Sequence, residues 1–279
     1  MILVTGGTGN VGREVVRQLL DAGERVRVIA RDPSRAALPE PAEVVPGDLT
    51  RPETLPAALE GTDRAFLFPV FAGLEGFLDA ARRVKLAHVV LLSSSAVSYP
   101  TANWIGDQHR ALEEAVAASG LPWTHVRPGG FMTNDLAWTR QIINEGVVRG
   151  VYGRSASAPV DPRDIAAVAV RALLDGGHAG RAYELTGPQS LTQLDRVRTI
   201  GEVIGRPVRF EEQPREQFAA QLRQRMPEPA AEFMLDLLAS MEGATAEVLP
   251  TVEEVTGRPA YSYAEWIRHW MTEFTGPAA

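Results

Sequence analysis

The chain opens with Met1-Ile-Leu-Val-Thr5-Gly6-Gly7-Thr8-Gly9-Asn10-Val11-Gly12-Arg13, and this stretch decides the fold. Ile2 to Thr5 is a short apolar run of the kind that forms buried strands. Glycines at positions 6, 9 and 12 follow it directly, and apolar residues then recur at helical spacing up to Leu20. The order predicts a strand, a tight turn and a helix, with Gly23 at the end of the helix.

Glycines between a strand and a helix allow a tight bend, close approach of the backbone to a pyrophosphate, and close packing of the helix on the sheet. The phosphates would lie on the amides at the positive dipole end of the helix. A second apolar strand, Val26 to Ala30, begins at the distance expected for a dinucleotide-binding unit. A glycine triplet alone also suits a flexible turn, but this placement favours nucleotide binding. The predicted phosphate-binding residues are Gly6, Thr8, Gly9, Asn10, Val11 and Gly12.

The composition narrows the class of protein. With 279 residues, of which 45% are hydrophobic, the chain can bury a large core. The 28 Lys and Arg against 35 Asp and Glu give a net charge of −7, which disfavours nucleic acid and anionic membrane as partners. There is no cysteine, so disulfides, thiolate metal sites and thiol catalysis are excluded. Since no two histidines have ligand spacing either, we expect no metal site.

Targeting signals are not apparent. Apolar runs such as Phe66 to Ala72 are far shorter than the ~18 residues of a membrane span, and the first strand begins too early for a signal peptide. We therefore expect a cytoplasmic protein that acts on a small molecule. The oligomeric state stays open between monomer and homodimer.

The rest of the chain predicts an α/β fold with two parts. Apolar strands near residues 43–45, 64–69, 88–92 and 121–127 alternate with helical segments, which indicates a doubly wound parallel (Rossmann) sheet. We expect residues 1–128 plus about 159–187, including a seventh strand at 181–185, to bind the nucleotide. Residues about 129–158 plus 188–279 would form a smaller, mostly helical substrate region or lid, with helices near 194–204, 216–224, 228–241 and 263–274. The substrate pocket would lie in the cleft between the two parts.

The end of the second strand indicates NADP(H) as the cofactor. Ala30-Arg31 stands where an acidic residue would otherwise bind the ribose 2′-hydroxyl of NAD. Arg31, assisted by Arg35, would pair with the 2′-phosphate and stack on the adenine. Asp32 complicates this interpretation because it lies only one position later, although Asp-Pro is a common opening of a turn.

Several motifs resemble one family. The spacing G-x-x-G-x-x-G is similar to that of the extended and atypical short-chain dehydrogenase/reductases. The segment from Glu113 to Asn134, with S-G-L-P-W-T and R-P-G-x-F-M-x-N, narrows the resemblance to the NmrA-like, NAD(P)H-binding atypical branch. The stretches 160–166 and 183–188 strengthen it, and the resemblance covers roughly residues 1–210.

The resemblance implies roles for residues that follow the strands. Asp48 and Leu49 would lie against the adenine, and a serine after the fifth strand would lie beside the nicotinamide and polarise a substrate carbonyl. Ser94 and Ser95 are the candidates for that catalytic role. Further cofactor-binding candidates at strand ends, where ligands of open α/β sheets bind, are Phe68, Ser93 and Pro128. The structural alternative is a turn or a helix cap, for Asp48 as for the serines.

One expected feature of the family is missing. Short-chain dehydrogenases usually have Tyr-x-x-x-Lys on the helix after the fifth strand, where the tyrosine transfers a proton. The matching positions here are Ile105 and His109. His109 could contact the cofactor or relay a proton, because an imidazole titrates near neutral pH. The alternative is an ordinary exposed histidine on a helix.

Aromatic and apolar side chains accompany the predicted cleft. They favour a pocket for a flat or apolar substrate, although such residues are more often simple core. The candidates are Phe71, Tyr99, Trp104, Phe131, Met132 and Trp138.

Two functions remain compatible with these observations. The first is an NADPH-dependent reductase that delivers hydride to an electron-poor acceptor such as a quinone, a conjugated carbonyl or an imine, for which the missing tyrosine is tolerable. The second is a non-catalytic regulator that senses NADP(H) and acts through a protein partner. The fold alone does not choose between them.

Overall fold

The computed structural model describes residues 1–276, which form eleven strands and twelve α-helices. The strands are β1 (Ile2–Val4), β2 (Val26–Ala30), β3 (Glu43–Pro46), β4 (Arg64–Leu67), β5 (His88–Leu92), β6 (Trp123–Pro128), β7 (Val147–Gly150), β8 (Ala156–Ser157), β9 (Arg181–Leu185), β10 (Leu191–Thr192) and β11 (Arg209–Glu212). The helices are α1 (Asn10–Asp21), α2 (Leu55–Leu59), α3 (Leu74–Arg83), α4 (Trp104–Ala118), α5 (Thr139–Glu145), α6 (Pro162–Leu174), α7 (Gln193–Ile204), α8 (Arg215–Arg223), α9 (Glu228–Ser240), α10 (Thr251–Thr256), α11 (Tyr263–His269) and α12 (Met271–Thr275).

Seven strands form one sheet in the order β3-β2-β1-β4-β5-β6-β9, and every neighbouring pair is parallel. The order reverses between β1 and β4, which is the switch point where open α/β sheets bind their ligands. The predicted doubly wound sheet and its seventh strand are therefore confirmed.

Helices cover both faces of this sheet, which explains why its strands are continuous apolar runs. Ile2 and Val4 point to the face covered by α1 and α6, while Leu3 points to the face covered by α2, α3 and α4. All three side chains are fully buried. Because successive strand residues alternate between faces, these two cores hold each strand in one register.

The excursion between β6 and α6 pairs with C-terminal residues. β7 pairs with β11, and β8 pairs with β10. A third core, which includes Ile142, Trp266 and Phe274, joins the excursion to α7, α11 and α12. The division of the chain into two parts stays a prediction.

The C-terminal part differs in detail from the sequence prediction. It contains the two small sheets as well as helices, and α10 is an additional helix. The helix predicted over 263–274 is two helices, α11 and α12, separated at Trp270. Strand β11 has the sequence Arg-Phe-Glu-Glu, of which only Phe210 is partly buried, so no apolar pattern marked it. No helix within residues 1–276 is long and apolar enough to cross a membrane.

Candidate active site

The glycine turn after β1 forms a cradle that is packed too closely for a side chain at Gly12. Gly6 has φ +63°, and a Cβ atom at Gly12 would lie 2.1 Å from the carbonyl oxygen of Gly6. Helix α1 begins at Asn10, and no side chain caps the amides of its first turn. These amides and the helix dipole are therefore available to an anion, as a bound diphosphate requires.

Two functional residues of this turn, Gly7 and Thr5, were not predicted from the sequence. A Cβ atom at Gly7 would lie 2.6 Å from Val28 of β2, so this glycine lets the turn pack against the sheet. The hydroxyl oxygen of Thr5 accepts a 2.7 Å hydrogen bond from the amide of Phe68. Thr5 thus joins the ends of β1 and β4 at the switch point. The signals were present as the doubled Gly6-Gly7 and the polar residue that ends the first strand.

The end of β2 separates the roles of Arg31 and Asp32. The Asp32 carboxylate accepts hydrogen bonds from the amide and hydroxyl of Ser34, at 3.1 and 2.6 Å, and caps a 3-10 turn over Pro33–Arg35. Its carboxylate is engaged in the turn, in agreement with the Asp-Pro interpretation. Arg31 is exposed at the crevice end of the strand, and Arg35 lies in the same turn.

Asp48 follows β3 and forms a local turn. Its carboxylate accepts hydrogen bonds from the amide and hydroxyl of Thr50, at 2.9 and 2.8 Å. These bonds hold the pKa of the carboxyl below its ordinary value, and the charges of Arg31 and Arg51 act in the same direction. The structural alternative for Asp48 is therefore realised, and its adenine contact stays a prediction. The neighbouring Leu49 is buried and packs in the core.

The three serines after β5 have different surroundings. Ser93 is buried, and its hydroxyl donates a 2.5 Å hydrogen bond to Glu113. Ser94 is half-buried, and its oxygen accepts a 3.2 Å bond from the amide of Ala96, so it caps a 3-10 turn. Ser95 faces Gly129, which follows β6 and the buried Pro128. All three lie where the strand meets the crevice.

His109 lies on α4, half-buried against Phe71, with ring centroids 5.6 Å apart and the rings nearly perpendicular. Burial lowers the pKa of His109 below its ordinary value of 6.5, against a smaller opposite effect of Glu113. The imidazole is therefore neutral at neutral pH. Its Nδ1 atom is buried and has no hydrogen-bond partner in the described part of the chain. Ile105 lies one helical turn earlier on α4.

Exposed aromatic side chains mark the same edge. Phe68, Phe71 and Trp104 are 41%, 51% and 38% exposed, more than any other Phe, Tyr or Trp between residues 1 and 276. Apolar surface concentrated at one edge is typical of a binding site. Phe68 also lies over Gly6, where a Cβ atom would be 2.8 Å from it.

The remaining pocket candidates divide between this edge and the core. Tyr99 lies 5.8 Å from Phe233 of α9, ring centre to ring centre, so α9 reaches the serine loop. Phe233 was not predicted, because its sequence neighbours only indicate an apolar helix.

Phe131 is half-buried beside the sheet core. Met132 is 1% exposed and packs in the C-terminal core, as the simple-core alternative describes. Trp138 is half-buried there, with the Arg196 guanidinium 5.0 Å from its ring.

The arrangement fits a dinucleotide cofactor. A glycine cradle with open amides lies at the switch point, an exposed arginine ends β2, and serines with exposed aromatic residues follow β4 and β5. Within residues 1–276, no cluster of three or more His, Asp or Glu side chains is arranged to hold a metal ion.

Known proteins share this architecture. A family described as NAD(P)H-binding matches residues 6–176. The chain is 44% identical to the (4-alkanoyl-5-oxo-2,5-dihydrofuran-3-yl)methyl phosphate reductase of Streptomyces griseus, over 95% of this chain and 96% of that protein. It is 37% identical to the NAD(P)H azoreductase of Xenophilus azovorans, over 98% of this chain and 99% of that protein.

A solved structure agrees over the same length. The NADPH-dependent quinone oxidoreductase of Escherichia coli is 25% identical and superposes with a TM-score of 0.79, covering 97% of this chain and all of that one. The resemblance predicted from the sequence motifs is thereby confirmed. The chain belongs to the NAD(P)H-binding family, in its NmrA-like branch of atypical short-chain dehydrogenase/reductases.

Proposed function

We propose that this protein is an NADPH-dependent reductase whose acceptor is a small, conjugated and electron-poor molecule. When bound, NADPH supplies hydride to such an acceptor. The choice of acceptor rests on one observation. Ile105 and a neutral His109 occupy the two positions at which a tyrosine and a lysine would otherwise serve in proton transfer. The relatives that bear the name of reductase support the reaction class.

The phosphate-binding turn and Arg31 support NADP(H) as the cofactor. Asn10, Val11 and Gly12 offer amides for the diphosphate, and Arg31 offers a guanidinium for the 2′-phosphate. Asp32 opposes this role less than its place in the sequence suggests, because Oδ1 of its carboxylate accepts two hydrogen bonds from Ser34 within the turn. Phe68, Ser93 and Pro128 would border the cofactor on the side of β4, β5 and β6.

The missing acid restricts the acceptor. A simple ketone becomes a localised alkoxide, a strong base that needs a positioned proton donor. A double bond conjugated to carbonyl groups instead spreads the negative charge over several oxygens, so that hydrogen-bond donors suffice and water can protonate the product. Within the wider class of quinones, conjugated carbonyls and imines, we propose an alkene that carries two carbonyl groups on the same carbon. The 44% identical relative is named for an acyl-substituted dihydrofuranone of this kind.

The chain's own side chains would then orient the acceptor and stabilise its charge. Ser94 is a better donor than Ser93, because its oxygen accepts from Ala96 and its hydrogen has no acceptor in the described chain, whereas the Ser93 hydrogen is given to Glu113. Ser95 would assist from beside Gly129. Neutral His109 would relay a proton from water. Phe71, Tyr99, Trp104 and Phe131 would cover apolar parts of the acceptor, and Met132 and Trp138 would back them from the core.

Stopped-flow oxidation of enzyme-bound NADPH tests this proposal. The acceptor panel contains a 4-acyl dihydrofuranone, quinones, an azo dye and a saturated ketone. We expect rapid oxidation with the first and slower or no oxidation with the ketone. Oxidation by none of them, despite tight NADPH binding, would contradict the reductase and favour the NADP(H) sensor.

A further inference from the structure

Glu113 is the buried acid of the site that the proposed reaction does not use. It lies on α4, one helical turn after His109, with its side chain 6% exposed. Its carboxylate accepts hydrogen bonds from Ser93 at 2.5 Å and from Arg127 at 2.9 and 2.6 Å. Nδ1 of His125 is 3.4 Å away. One carboxylate thus ties α4 to the crevice ends of β5 and β6.

The carboxyl group of Glu113 is kept ionised by its hydrogen-bond partners. Although burial alone would raise its pKa, hydrogen bonds from His125, Arg127 and Ser93 lower the pKa of Glu113 to about 2. Arg127 is in turn close to Glu184, with the two charged groups 3.9 Å apart. At neutral pH the carboxylate therefore only accepts hydrogen bonds.

An acceptor-only carboxylate fixes the direction of the Ser93 hydroxyl. The hydrogen of Ser93 must point to Glu113, so only lone pairs remain for a ligand. Ser94 has the opposite arrangement, since its oxygen receives the amide of Ala96. The two neighbouring serines therefore present different hydrogen-bonding groups at the same strand end.

The position of Ser93 indicates which half of the cofactor it would contact. Arg31 at the end of β2 marks the side of the sheet that receives the adenosine half of a dinucleotide. If the phosphates bind at the switch point between β1 and β4, the other half would lie over β4, β5 and β6. Ser93 directly follows β5.

We propose that Glu113 is a positioning residue that fixes Ser93 as a hydrogen-bond acceptor for a donor group in the nicotinamide half of NADP(H). This inference rests on the cofactor alone and not on the identity of the acceptor. It gives a role to Glu113 and Arg127, which both belong to the motif from Glu113 to Asn134 and form a partly buried ion pair.

Substitution E113Q disturbs this arrangement and keeps the size of the side chain. In the wild type both carboxylate oxygens accept from Arg127, and Oε1 also accepts from Ser93. An amide has only one acceptor oxygen, so in either orientation its NH2 group faces a donor of Arg127, and the Ser93 hydroxyl is no longer firmly fixed as an acceptor toward the crevice. S93A removes the group altogether and keeps Glu113 paired with Arg127.

Isothermal titration with NADPH and with adenosine 2′,5′-bisphosphate, which lacks the nicotinamide half, tests the proposal. We expect E113Q and S93A each to weaken NADPH binding about threefold to tenfold, the range for one lost hydrogen bond. Binding of the bisphosphate should be unchanged. The double variant should be no weaker than E113Q, because both changes remove the same contact.

The control is D164N, which alters another buried carboxylate that pairs with an arginine, Arg258, at 2.7 Å. It should lower stability and leave the affinity ratio of the two ligands at the wild-type value. Equal weakening of both ligands by E113Q would show a general structural role and overturn the proposal, as would unchanged NADPH binding by S93A. Normal NADPH binding without turnover in the wild type would contradict only the reductase function.

Discussion

Arg31 is the residue on which the choice of cofactor depends. We expect Arg31→Ala to weaken NADPH binding about tenfold to a hundredfold, the range for a lost charge-assisted hydrogen bond. NADH binding should change by less than about twofold, because NADH lacks the 2′-phosphate. Fluorescence titration with both cofactors measures this, with Arg25→Ala as the control that removes an exposed arginine before the same strand. Equal losses for NADPH and NADH would contradict the assignment.

His109 makes stability depend on pH. Its folded-state pKa is lowered from 6.5, chiefly by burial, so the unfolded chain binds the proton more readily. Falling pH through that value therefore favours unfolding. We expect His109→Gln to lose less melting temperature between pH 7.5 and pH 5 than the wild type does. His269→Gln, which alters an exposed histidine, should keep the wild-type loss, and an identical loss in His109→Gln would refute this account.

For single residues, the sequence predicted the position in the fold better than the orientation of the side chain. Arg31, Ser93 and Asp48 could be assigned to strand ends, because apolar runs mark where strands stop. The direction of the Ser93 hydroxyl could not be predicted, since it depends on Glu113, twenty positions later. The turn bonds of Asp32 and Asp48 were foreseeable, because Asp often accepts hydrogen bonds from the backbone two residues on.

The glycine turn is the element that the site most depends on. Gly12→Ala would place a methyl group 2.1 Å from the Gly6 carbonyl oxygen. We expect a loss of about 2 kcal/mol in the free energy of unfolding, typical of overpacking, together with a large loss of NADPH affinity. Urea denaturation and cofactor titration measure the two effects. Gly176→Ala, which meets open space, should change neither, and similar behaviour of both variants would refute the cradle.

Elements were predictable wherever burial leaves a pattern. The strands of the large sheet are apolar throughout, because helices cover both of its faces. β11 was missed because it is a mostly exposed strand that pairs only with β7. The break between α11 and α12 at Trp270 interrupts a continuous apolar pattern, and no proline or glycine marks it.

In the whole molecule, one buried network joins three distant segments. Asp135 accepts hydrogen bonds from Arg196 at 2.7 and 2.8 Å and from the Tyr263 hydroxyl at 2.6 Å. These residues belong to the excursion after β6, to α7 and to α11. No local sequence pattern predicts this network, because its members come into contact only once the chain has folded.

Tyr263→Phe removes one hydrogen bond from a buried carboxylate. We expect a loss of about 1.5–3 kcal/mol in the free energy of unfolding, the usual range for a bond to a charged group. The matched control is Tyr261→Phe, since the Tyr261 ring between Arg163 and Arg258 is retained. The control should stay within about 0.5 kcal/mol of the wild type by urea denaturation. Equal stability of the two variants would show that the network does not hold the segments together.

The central claim is that the protein reduces a conjugated acceptor with NADPH. The most direct measurement uses NADPH with deuterium at both positions of nicotinamide C4, a 4-acyl dihydrofuranone as acceptor, and mass spectrometry of the product. We predict one equivalent of oxidised cofactor for each product molecule, and one deuterium on the ring carbon that lies opposite the acyl-bearing carbon of the double bond. Recovery of unlabelled acceptor and intact NADPH from a complex that binds both would contradict it.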